Sequence, residues 1–493
     1  MPPARAVDLP GPATRHLALV AAGVSALLLL TADRYGPHRD ELYFVLVGGH
    51  PDWGYVDQPP LVPVLAHAWD AVTGGRLWLF RLPSALAAGA VAWLTGLLAR
   101  RLGGGTGAQV LAAVVMGLAP VTLAVGHLVS TSTYDLLVQV ALVLVVLRAL
   151  EDPRWWWAAG LVLGVGLQVK SLPLLLAASL VVGLLVAGPR HPFRSVHLYA
   201  GGLVALALGA PNLLWQRAHG WPQLELAEAI AAGGSGTSTG LVELWATQPG
   251  LVGPPVGVVL VVVGAVRLAR SPQLRDRRFL LLSWGVLAVV VTVTGGKAYY
   301  LAAAYAPLVG AGAVAVVAWV GRGRARVRRT ALVAGTALGA VVGAVLFLPV
   351  LPADRLAGTP VVAVNYDAGE TVGWPAFVDA VEAGLDAAGP GAVVVTGNYG
   401  EAGAVARWLP EVPVHSGHNS LWDLGPPADD DATAVVVGWP AARVEEWCAS
   451  TEQVALVDNG VGLDNDEQDR PVLVCRGPLG GWSDLWPRLR RLG

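Results

Sequence analysis

Long apolar runs alternate with short polar segments from the N-terminus to about residue 350. A hydrocarbon core ~30 Å thick needs about 20 apolar residues per helix, and most runs reach or nearly reach that length. The pattern predicts membrane-spanning helices near residues 15–32, 78–99, 108–128, 133–150, 155–170, 173–188, 196–215, 251–269, 279–295, 299–320 and 330–351. Because Lys170-Ser-Leu-Pro173 divides the 155–188 region, that region also fits a single broken span.

The arginines favour two spans there, and so about 11 transmembrane helices. With the N-terminus in the cytoplasm, every even-numbered turn then carries arginines: Arg100-Arg101, Arg148 and Arg154, Arg190 and Arg194, Arg267 to Arg278, and Arg322 to Arg329. Cytoplasmic loops are enriched in Lys and Arg. The pattern predicts a multi-pass protein of the cell (plasma) membrane, with residues 33–77, 216–250 and everything after 352 outside the cytoplasm.

After Pro352 the long runs give way to short apolar runs typical of a globular α/β domain. We expect a transmembrane domain over 1–352, with an outward loop at 33–77, and an extracytoplasmic α/β domain over 353–493. Helices are predicted at 374–388 and 400–408, and buried strands at 361–364, 392–396, 434–437, 454–457 and 472–475. Cys448 and Cys475 are the two cysteines, and they form either a disulfide or two buried thiols.

Composition agrees with a polytopic α-helical membrane protein. Hydrophobic residues make up 54% of the chain, charged residues only 14%, and the mean hydropathy is +0.56. The formal net charge of −2 gives no reason to expect a nucleic-acid partner, because a phosphate-binding surface needs a concentrated basic face.

The adjacent carboxylates Asp40-Glu41 follow the first span directly. Charges near a bilayer surface are costly unless they are solvated, paired or used, and a lone acidic residue there is most often simply solvated. This pair shares its loop with Asp57-Gln58, which precedes a double proline, and with Trp53 and Tyr55. The combination indicates a rigid, partly buried loop, so we expect chemistry there.

Lysine is rare in this chain. The 33 basic residues include only Lys170 and Lys297, both at predicted outer ends of spans. Each either snorkels to the headgroups or contacts a phosphate of a lipid-borne substrate. The stretch Gly295-Gly-Lys-Ala-Tyr-Tyr300 favours the second interpretation, because glycines allow close backbone approach to an anion.

Several stretches together resemble a known family. They are Arg39-Asp-Glu-Leu-Tyr-Phe44, Trp53-Gly-Tyr-Val-Asp-Gln-Pro-Pro-Leu61, Pro211-Asn-Leu-Leu-Trp-Gln216, His219-Gly-Trp-Pro222, Gly295-Gly-Lys-Ala-Tyr-Tyr-Leu301, Asn398-Tyr-Gly-Glu-Ala-Gly403 and His415-Ser-Gly-His-Asn-Ser420. The chain resembles the polytopic GT-C glycosyltransferases, in the branch of protein O-mannosyltransferases and aminoarabinose transferases, and most closely their actinobacterial-type members. The Asp-Glu pair followed by the Pro-Pro loop is the specific part of the resemblance.

The resemblance implies inverting transfer of a sugar from a polyprenyl-phosphate donor to an envelope acceptor, whether lipid, glycan or protein, on the outer face. Asp40 is then the catalytic base, Glu41 orients the acceptor or binds a metal, and Lys297, Lys170 and Arg39 are candidates for the phosphate. Further substrate-binding candidates are Tyr43, Tyr55, Asp57, Gln58, His219, Tyr299 and Tyr300. Aminoarabinose transferases have Glu-Lys where this chain has Asp57-Gln58, so no lysine role carries over there. No cofactor is required, and the use of a divalent metal ion stays open.

Two alternatives from other classes remain. A transporter or flippase of a lipid-linked or envelope substrate, with an exported accessory domain, would tend to show internal repeats and polar residues in mid-membrane, whereas the polar residues here gather in outward loops. A non-catalytic sugar-binding or envelope scaffold is the other. The glycine- and serine-rich stretch 233–240 is either a flexible surface loop or a lid, and we expect Asn398-Tyr-Gly-Glu-Ala-Gly403 to bind acceptor or dock onto the membrane part.

Overall fold

The computed structural model describes residues 9–232 and 240–493. Apart from Gly240, the stretch predicted to be a surface loop or a lid lies outside these residues. The first helices are α1 (Thr14–Thr31), α2 (Arg39–Gly48), α3 (Leu61–Thr73), α4 (Leu77–Phe80), α5 (Leu82–Arg101), α6 (Thr106–Gly117), α7 (Pro120–Gly126), α8 (Thr131–Ala149), α9 (Trp155–Leu167), α10 (Leu172–Ala187) and α11 (Val196–Ala218).

The remaining helices are α12 (Pro222–Ala231), α13 (Leu241–Val252), α14 (Val256–Arg270), α15 (Phe279–Val293), α16 (Ala302–Val320), α17 (Ala325–Phe347), α18 (Val361–Val364), α19 (Trp374–Ala388), α20 (Tyr399–Trp408), α21 (Ala441–Glu445) and α22 (Trp482–Leu489). The strands are β1 (Val393–Thr396), β2 (Val414–Ser416), β3 (Thr433–Val437), β4 (Cys448–Leu456) and β5 (Pro471–Pro478).

The chain divides into two compact units, which we describe separately. The membrane unit comprises Met1–Thr31, Arg81–Trp215 and Thr237–Leu348, and the sheet unit comprises Ala32–Phe80, Gln216–Gly236 and Pro349–Gly493. The predicted outward loop 33–77, which carries Asp40, therefore lies entirely in the same unit as the C-terminal segment.

The membrane unit is a bundle of apolar helices. Among the described residues, six helices are long and apolar enough to cross a membrane, or up to eight spans if each of two bent helix pairs, α6 with α7 and α13 with α14, forms one. The other three predicted spans coincide with the shorter apolar helices α9, α10 and α15. The fold is thus polytopic and helical as predicted, while the number of eleven crossings stays a prediction.

Helix α16 lies at the centre of this bundle. In its most apolar 18-residue stretch 78% of the residues are buried, whereas in that of α17 only 6% are buried. Small residues line α16, and at Gly312 the backbone of α14 approaches so closely that a Cβ would overlap Leu260. Small residues let helices approach closely where no water drives them together. The outward side of α17 exposes Val333, Leu338 and Val341, as expected of a surface that faces lipid.

Three arginine-bearing turns meet at one end of the membrane unit. Glu151, just after α8, forms ion pairs with Arg101 and Arg277, and Arg267 donates to the carbonyl of Leu102 at 2.9 Å. These turns belong to the set that the charge pattern assigned to a single side of the membrane. The side itself stays a prediction.

The sheet unit contains a five-stranded sheet of order β2-β1-β3-β5-β4. Strands β1, β2 and β3 are parallel, while β5 is antiparallel to β3 and β4. Helices α19 and α20 pack on one face through Val394 and Val435, and the tryptophan-rich α22 packs on the other through Val395 and Val436. This alternation of buried side chains follows from the period of two in a strand.

Two strand predictions were wrong in part. Residues 361–364 form the short helix α18, because the amides of Val364 and Asn365 donate back to Pro360 and Val361, and Val364 is exposed. Residues 454–457 fall mostly in β4, which is an edge strand and largely exposed rather than buried. The cysteines, left open above, form a disulfide between β4 and β5.

Candidate active site

The Asp-Glu pair occupies the first turn of α2. His38 caps this helix: its Nδ1 accepts from the amide of Asp40 at 3.2 Å, and its own amide donates to Glu41 Oε2 at 2.8 Å. Such a capping box satisfies helix amides that would otherwise lack partners. Glu41 is therefore turned back into the protein and buried, whereas Asp40 stays partly exposed. Two neighbouring carboxylates thus have different surroundings.

Asp40 is held by Tyr399, the first residue of α20. The Tyr399 hydroxyl donates to Asp40 Oδ1 at 2.8 Å, and its ring lies 4.7 Å from the ring of Tyr43 and 4.6 Å from that of His418. Burial, together with the negative charge of Asp40, raises the pKa of Tyr399 well above its usual range. The hydroxyl therefore keeps its proton and remains a hydrogen-bond donor to the carboxylate.

A second carboxylate, Asp57, lies on the other side of Tyr43. The Tyr43 hydroxyl donates to Asp57 Oδ1 at 2.8 Å, and Ser420 Oγ lies 3.5 Å from the same oxygen. Burial raises the pKa of Asp57 to about 7, against the lowering effect of the Tyr43 hydrogen bond. The structure thus brings Asp40, Tyr43 and Asp57 into one cluster, joined by Tyr399.

Tyr55 and Gln58 belong to the same loop and are buried. The Tyr55 amide donates to the Gln58 carbonyl at 2.9 Å, and the Tyr55 hydroxyl donates to the carbonyl of His50 at 3.3 Å. These bonds close the loop on itself, which agrees with the expected rigid conformation. His219, by contrast, is exposed in the turn before α12.

Arg39 is buried among acidic and phenolic groups. One guanidinium nitrogen, Nη1, lies 3.1 Å from Glu370 Oε2 and 3.2 Å from the Tyr366 hydroxyl, and it also pairs with Asp466. Burial opposes the charge of Arg39, but the nearby carboxylates of Glu370 and Glu467 raise its pKa well above the usual value. These contacts tie the start of α2 to the C-terminal segment and favour a positioning role over phosphate binding.

The other predicted residues belong to the membrane unit. Lys170 Nζ donates to Ser132 Oγ at 3.0 Å and lies 5.1 Å and 5.2 Å from the ring centres of Tyr299 and Tyr300. Aromatic faces attract a nearby ammonium group. Lys297 precedes the two tyrosines in the turn before α16.

Asp135 lies one turn further along α8 and is buried. Its Oδ2 accepts from Gln139 Nε2 at 2.8 Å, while its Oδ1 has no hydrogen-bond partner within the described part of the chain. Asp135 lines a small cavity with Ser132, Gln139 and Tyr299. Of the four predicted binding residues of this unit, Lys170, Tyr299 and Tyr300 thus meet at one end of the bundle, beside polar groups of α8.

Comparisons with known proteins bear on the family. The sequence model of the family "Dolichyl-phosphate-mannose-protein mannosyltransferase" matches residues 57–215. ArnT from Cupriavidus metallidurans bound to undecaprenyl phosphate superimposes with a TM-score of 0.60 at 17% identity, covering 94% of this chain and 98% of that one. The chain has the GT-C glycosyltransferase fold. Its predicted resemblance to the mannosyltransferase and aminoarabinose transferase branch is confirmed.

Two further comparisons agree with this fold. ArnT in the apo state gives a TM-score of 0.58 at 17% identity, with the same coverage of 94% and 98%. The arabinofuranosyltransferase AftD from Mycobacteria gives a TM-score of 0.53 at 16% identity, covering 94% of this chain but 40% of AftD. A search of curated proteins finds no match. At these identities the structural likeness concerns the fold, and the roles of individual residues must be argued from their own geometry.

The sequence did not predict the residue whose side chain donates a hydrogen bond to the Asp40 carboxylate. Tyr399 lies within a stretch that the sequence marked only for acceptor binding or docking, and it is 359 positions from its partner. The local signal was present, since Asn398 and Glu401 form a capping box that begins α20. That signal predicts where the helix starts, but it contains no information on which carboxylate the tyrosine reaches.

A metal site is not evident in the described residues. Within residues 9–232 and 240–493, no group of three or more His, Cys, Asp or Glu side chains has an arrangement that could hold a metal ion. The participation of a divalent ion therefore stays open, as it was from the sequence.

Proposed function

We propose that this chain is an inverting membrane glycosyltransferase that moves a sugar from a polyprenyl-phosphate donor to a hydroxyl of an envelope acceptor on the outer face. The observation that carries this proposal is the partly exposed carboxylate of Asp40, fixed at the start of α2 by the Tyr399 hydroxyl at 2.8 Å. The fold of the chain and its match to the mannosyltransferase family support the reaction class.

Asp40 is the general base in this reaction. Its carboxylate takes the proton of the acceptor hydroxyl as the acceptor oxygen attacks the anomeric carbon from the side opposite the phosphate. The bond between that carbon and the phosphate oxygen breaks, its electron pair leaves with the lipid phosphate, and the anomeric configuration inverts. The Tyr399 hydrogen bond fixes Oδ1, so we assign Oδ2 to the acceptor proton. The proton is then released to water.

The departing phosphate gains charge and needs a cation. We assign this role to Lys170, because the hydroxyl of Ser132 and the two tyrosine rings orient its ammonium group. The carboxylate of Asp135 attracts this ammonium group electrostatically, but no direct ion pair joins them in the described part of the chain. Lys297 is the second candidate. A polyprenyl-phosphate donor is supported by the likeness to ArnT, whose structure contains undecaprenyl phosphate.

Glu41 and Arg39 act indirectly in this proposal. Glu41 closes the capping box, and Arg39 anchors α2, so both set the position of Asp40. Asp57 and Tyr43 support Tyr399 from its other side. An outward orientation is supported by the arginine distribution and by the disulfide of the sheet unit, since disulfides persist in oxidising compartments.

The test is sugar transfer by the purified protein in lipid. A panel of radiolabelled polyprenyl-phosphate sugars is supplied with an envelope extract as acceptor. Asp40→Asn keeps the shape and can still accept the Tyr399 hydrogen bond but cannot take a proton, so kcat should fall roughly 10²- to 10⁴-fold while donor binding persists. Asp52→Asn, at an exposed acidic residue of the same loop, is the matched control and should retain activity.

Equal activity of Asp40→Asn and the wild type would place the base elsewhere. Absence of transfer from every donor by the wild type would instead favour the transporter, and the same vesicles can then be assayed for movement of the labelled lipid between leaflets.

A further inference from the structure

One cavity of the sheet unit has no part in the proposed reaction. It has a volume of about 540 Å³ and lies between α2, α3 and α20. Its lining begins at Leu42 on α2 and Gly403 on α20 and continues towards the C-terminal ends of both helices, and neither Asp40 nor Tyr399 is part of it. Ligand pockets typically enclose about 300 to 1,000 Å³.

An ordered guanidinium forms one wall of this cavity. Arg407 Nη1 lies 3.2 Å and 3.4 Å from the two carboxylate oxygens of Asp70, and Nη2 donates to the carbonyl of Gly75 at 3.1 Å. Gly75 has a φ of +75°, and a Cβ there would lie 2.9 Å from Nη2. A side chain at this position would therefore be strained by its backbone conformation and would displace the guanidinium.

A histidine of fixed tautomer forms the adjacent wall. His67 Nδ1 lies 2.9 Å from the carbonyl of Val45, and because a carbonyl only accepts, Nδ1 carries the proton. In the neutral ring Nε2 is then an acceptor. The absence of a side chain at Gly49 leaves room for this ring, since a Cβ there would lie 3.1 Å from His67 Cε1.

An exposed aromatic ring completes the cavity. Trp408 is 39% exposed at the end of α20, and Arg407 lies 5.7 Å from its ring centre. Leu42, Val45 and Leu46 supply an apolar floor. The cavity thus combines an aromatic face with donors and acceptors from planar side chains.

The charges of the cavity select the ligand class. Asp70 and Arg407 neutralise each other, yet the three contacts of Arg407 leave donors over, because a guanidinium has five N–H groups. Because the pair has no net charge, it gives neither an anionic nor a cationic ligand a net attraction, whereas an uncharged polyhydroxyl ligand can bond to both side chains and lay its C–H face on the indole.

We propose that this cavity binds an uncharged oligosaccharide, as a subsite for a glycan acceptor. Binding of the oligosaccharide does not require the proposed transferase activity, whereas its role as the acceptor rests on the proposed function. Both side chains of the ion pair are partly exposed, at 23% for Arg407 and 20% for Asp70, so the pair is accessible to a ligand from solvent.

The test is direct binding to the full-length protein in lipid nanodiscs. Mannotriose and arabinotriose are the neutral probes and trigalacturonate is the charged one, with binding measured by saturation-transfer NMR and titration. We expect Trp408→Ala and Arg407→Gln each to weaken neutral trisaccharide binding at least tenfold. Trp78→Ala, at another exposed tryptophan, and Arg490→Gln, in the exposed pair with Glu225, should leave it unchanged.

Three results would overturn the proposal: no neutral trisaccharide binds to the wild type, both cavity variants bind as the wild type does, or trigalacturonate binds more tightly than the neutral probes. Asp40→Asn separates this site from catalysis, because it should bind trisaccharide normally even if transfer is lost. Failure of the transferase assay with retained binding would refute the proposed function and leave the sugar subsite intact.

Discussion

The two candidate regions use charge in opposite ways. Around Arg39 and Asp40, in the sheet unit, each charged group has a charged or phenolic partner: Arg39 has Glu370 and Asp466, and Asp40 has Tyr399. Around Lys170, in the membrane unit, the ammonium contacts a serine and two tyrosines directly, all of them neutral, and the carboxylate of Asp135 acts on it only through its electrostatic field.

This difference indicates which charged groups are available to bind a substrate. A guanidinium that is buried in direct contact with carboxylates is committed to stabilising the protein. An ammonium group whose direct contacts are neutral keeps hydrogen-bond donors for an anion, even though Asp135 lies close enough to attract it. Sequence reasoning placed Arg39, Lys170 and Lys297 together as phosphate candidates. The structure separates Arg39 from Lys170 by the charge of their direct contacts, and substitution of each residue tests that separation.

The largest expected effect is on stability, from Arg39→Met. Removing one partner of a buried ion pair leaves uncompensated charge, so unfolding of the purified protein should become easier by about 3–5 kcal/mol. Thermal unfolding followed by tryptophan fluorescence measures this. Arg490→Met is the matched control, because the Arg490–Glu225 pair is exposed, at 37% and 50%, and such a pair contributes at most about 1 kcal/mol.

Equal losses in the two variants would contradict the anchoring role of Arg39. An Arg39→Met protein of normal stability that had lost donor binding would return Arg39 to the phosphate site and erase the contrast with Lys170.

The next effect is on activity, from Lys170→Met. If Lys170 stabilises the leaving phosphate, kcat should fall roughly 10²-fold, the loss typical of removing one group that stabilises developing charge. Lys170→Arg retains the charge and should recover part of the rate. Both are measured in the transfer assay, with thermal unfolding as a check on folding. A Lys170→Met enzyme of normal rate would show that the ammonium only snorkels.

Much of the fold was predictable because its causes are local. Apolar runs of membrane-spanning length predicted helices throughout the membrane unit, and runs of valine predicted β1, β3 and β5. The failures were also local in origin. β2 has only three residues, and Val361–Val364 has the composition of a strand but follows Pro360 into a helical turn.

Of the residues clustered around the candidate base, the sequence predicted Asp40 itself but not the residues that hold it in place. A carboxylate pair followed later in the same loop by a double proline is visible in the sequence, and it pointed to Asp40. Its partner Tyr399 and the anchors Glu370 and Asp466 come from segments more than 300 positions away, and they meet α2 only in the folded sheet unit. No pattern within a single segment contains that information.

The smallest expected effect is on the pH dependence of stability. The sheet unit contains buried carboxyl groups whose charge, unlike that of Arg39, is not fully compensated. Burial raises the pKa of Glu401 to about 7, against the lowering effect of the amides of Asn398 and Gly397, which donate to it at 3.0 Å and 2.9 Å. Burial likewise raises the pKa of Glu370 and Glu467.

A glutamate in the unfolded chain titrates near pH 4.5, so between that pH and about 7 the folded protein holds a proton on Glu401 that the unfolded chain has released. Its contribution to stability is fully present below pH 4.5 and is lost as the pH rises to about 7. Glu401→Gln should therefore reduce the loss of stability between pH 5 and 8 by roughly 1–3 kcal/mol. Thermal unfolding across this range measures it, with Glu411→Gln, at an exposed glutamate, as control. A variant with the pH profile of the wild type would show that Glu401 is ionised throughout, and that the buried charges of the sheet unit are as fully compensated as Arg39.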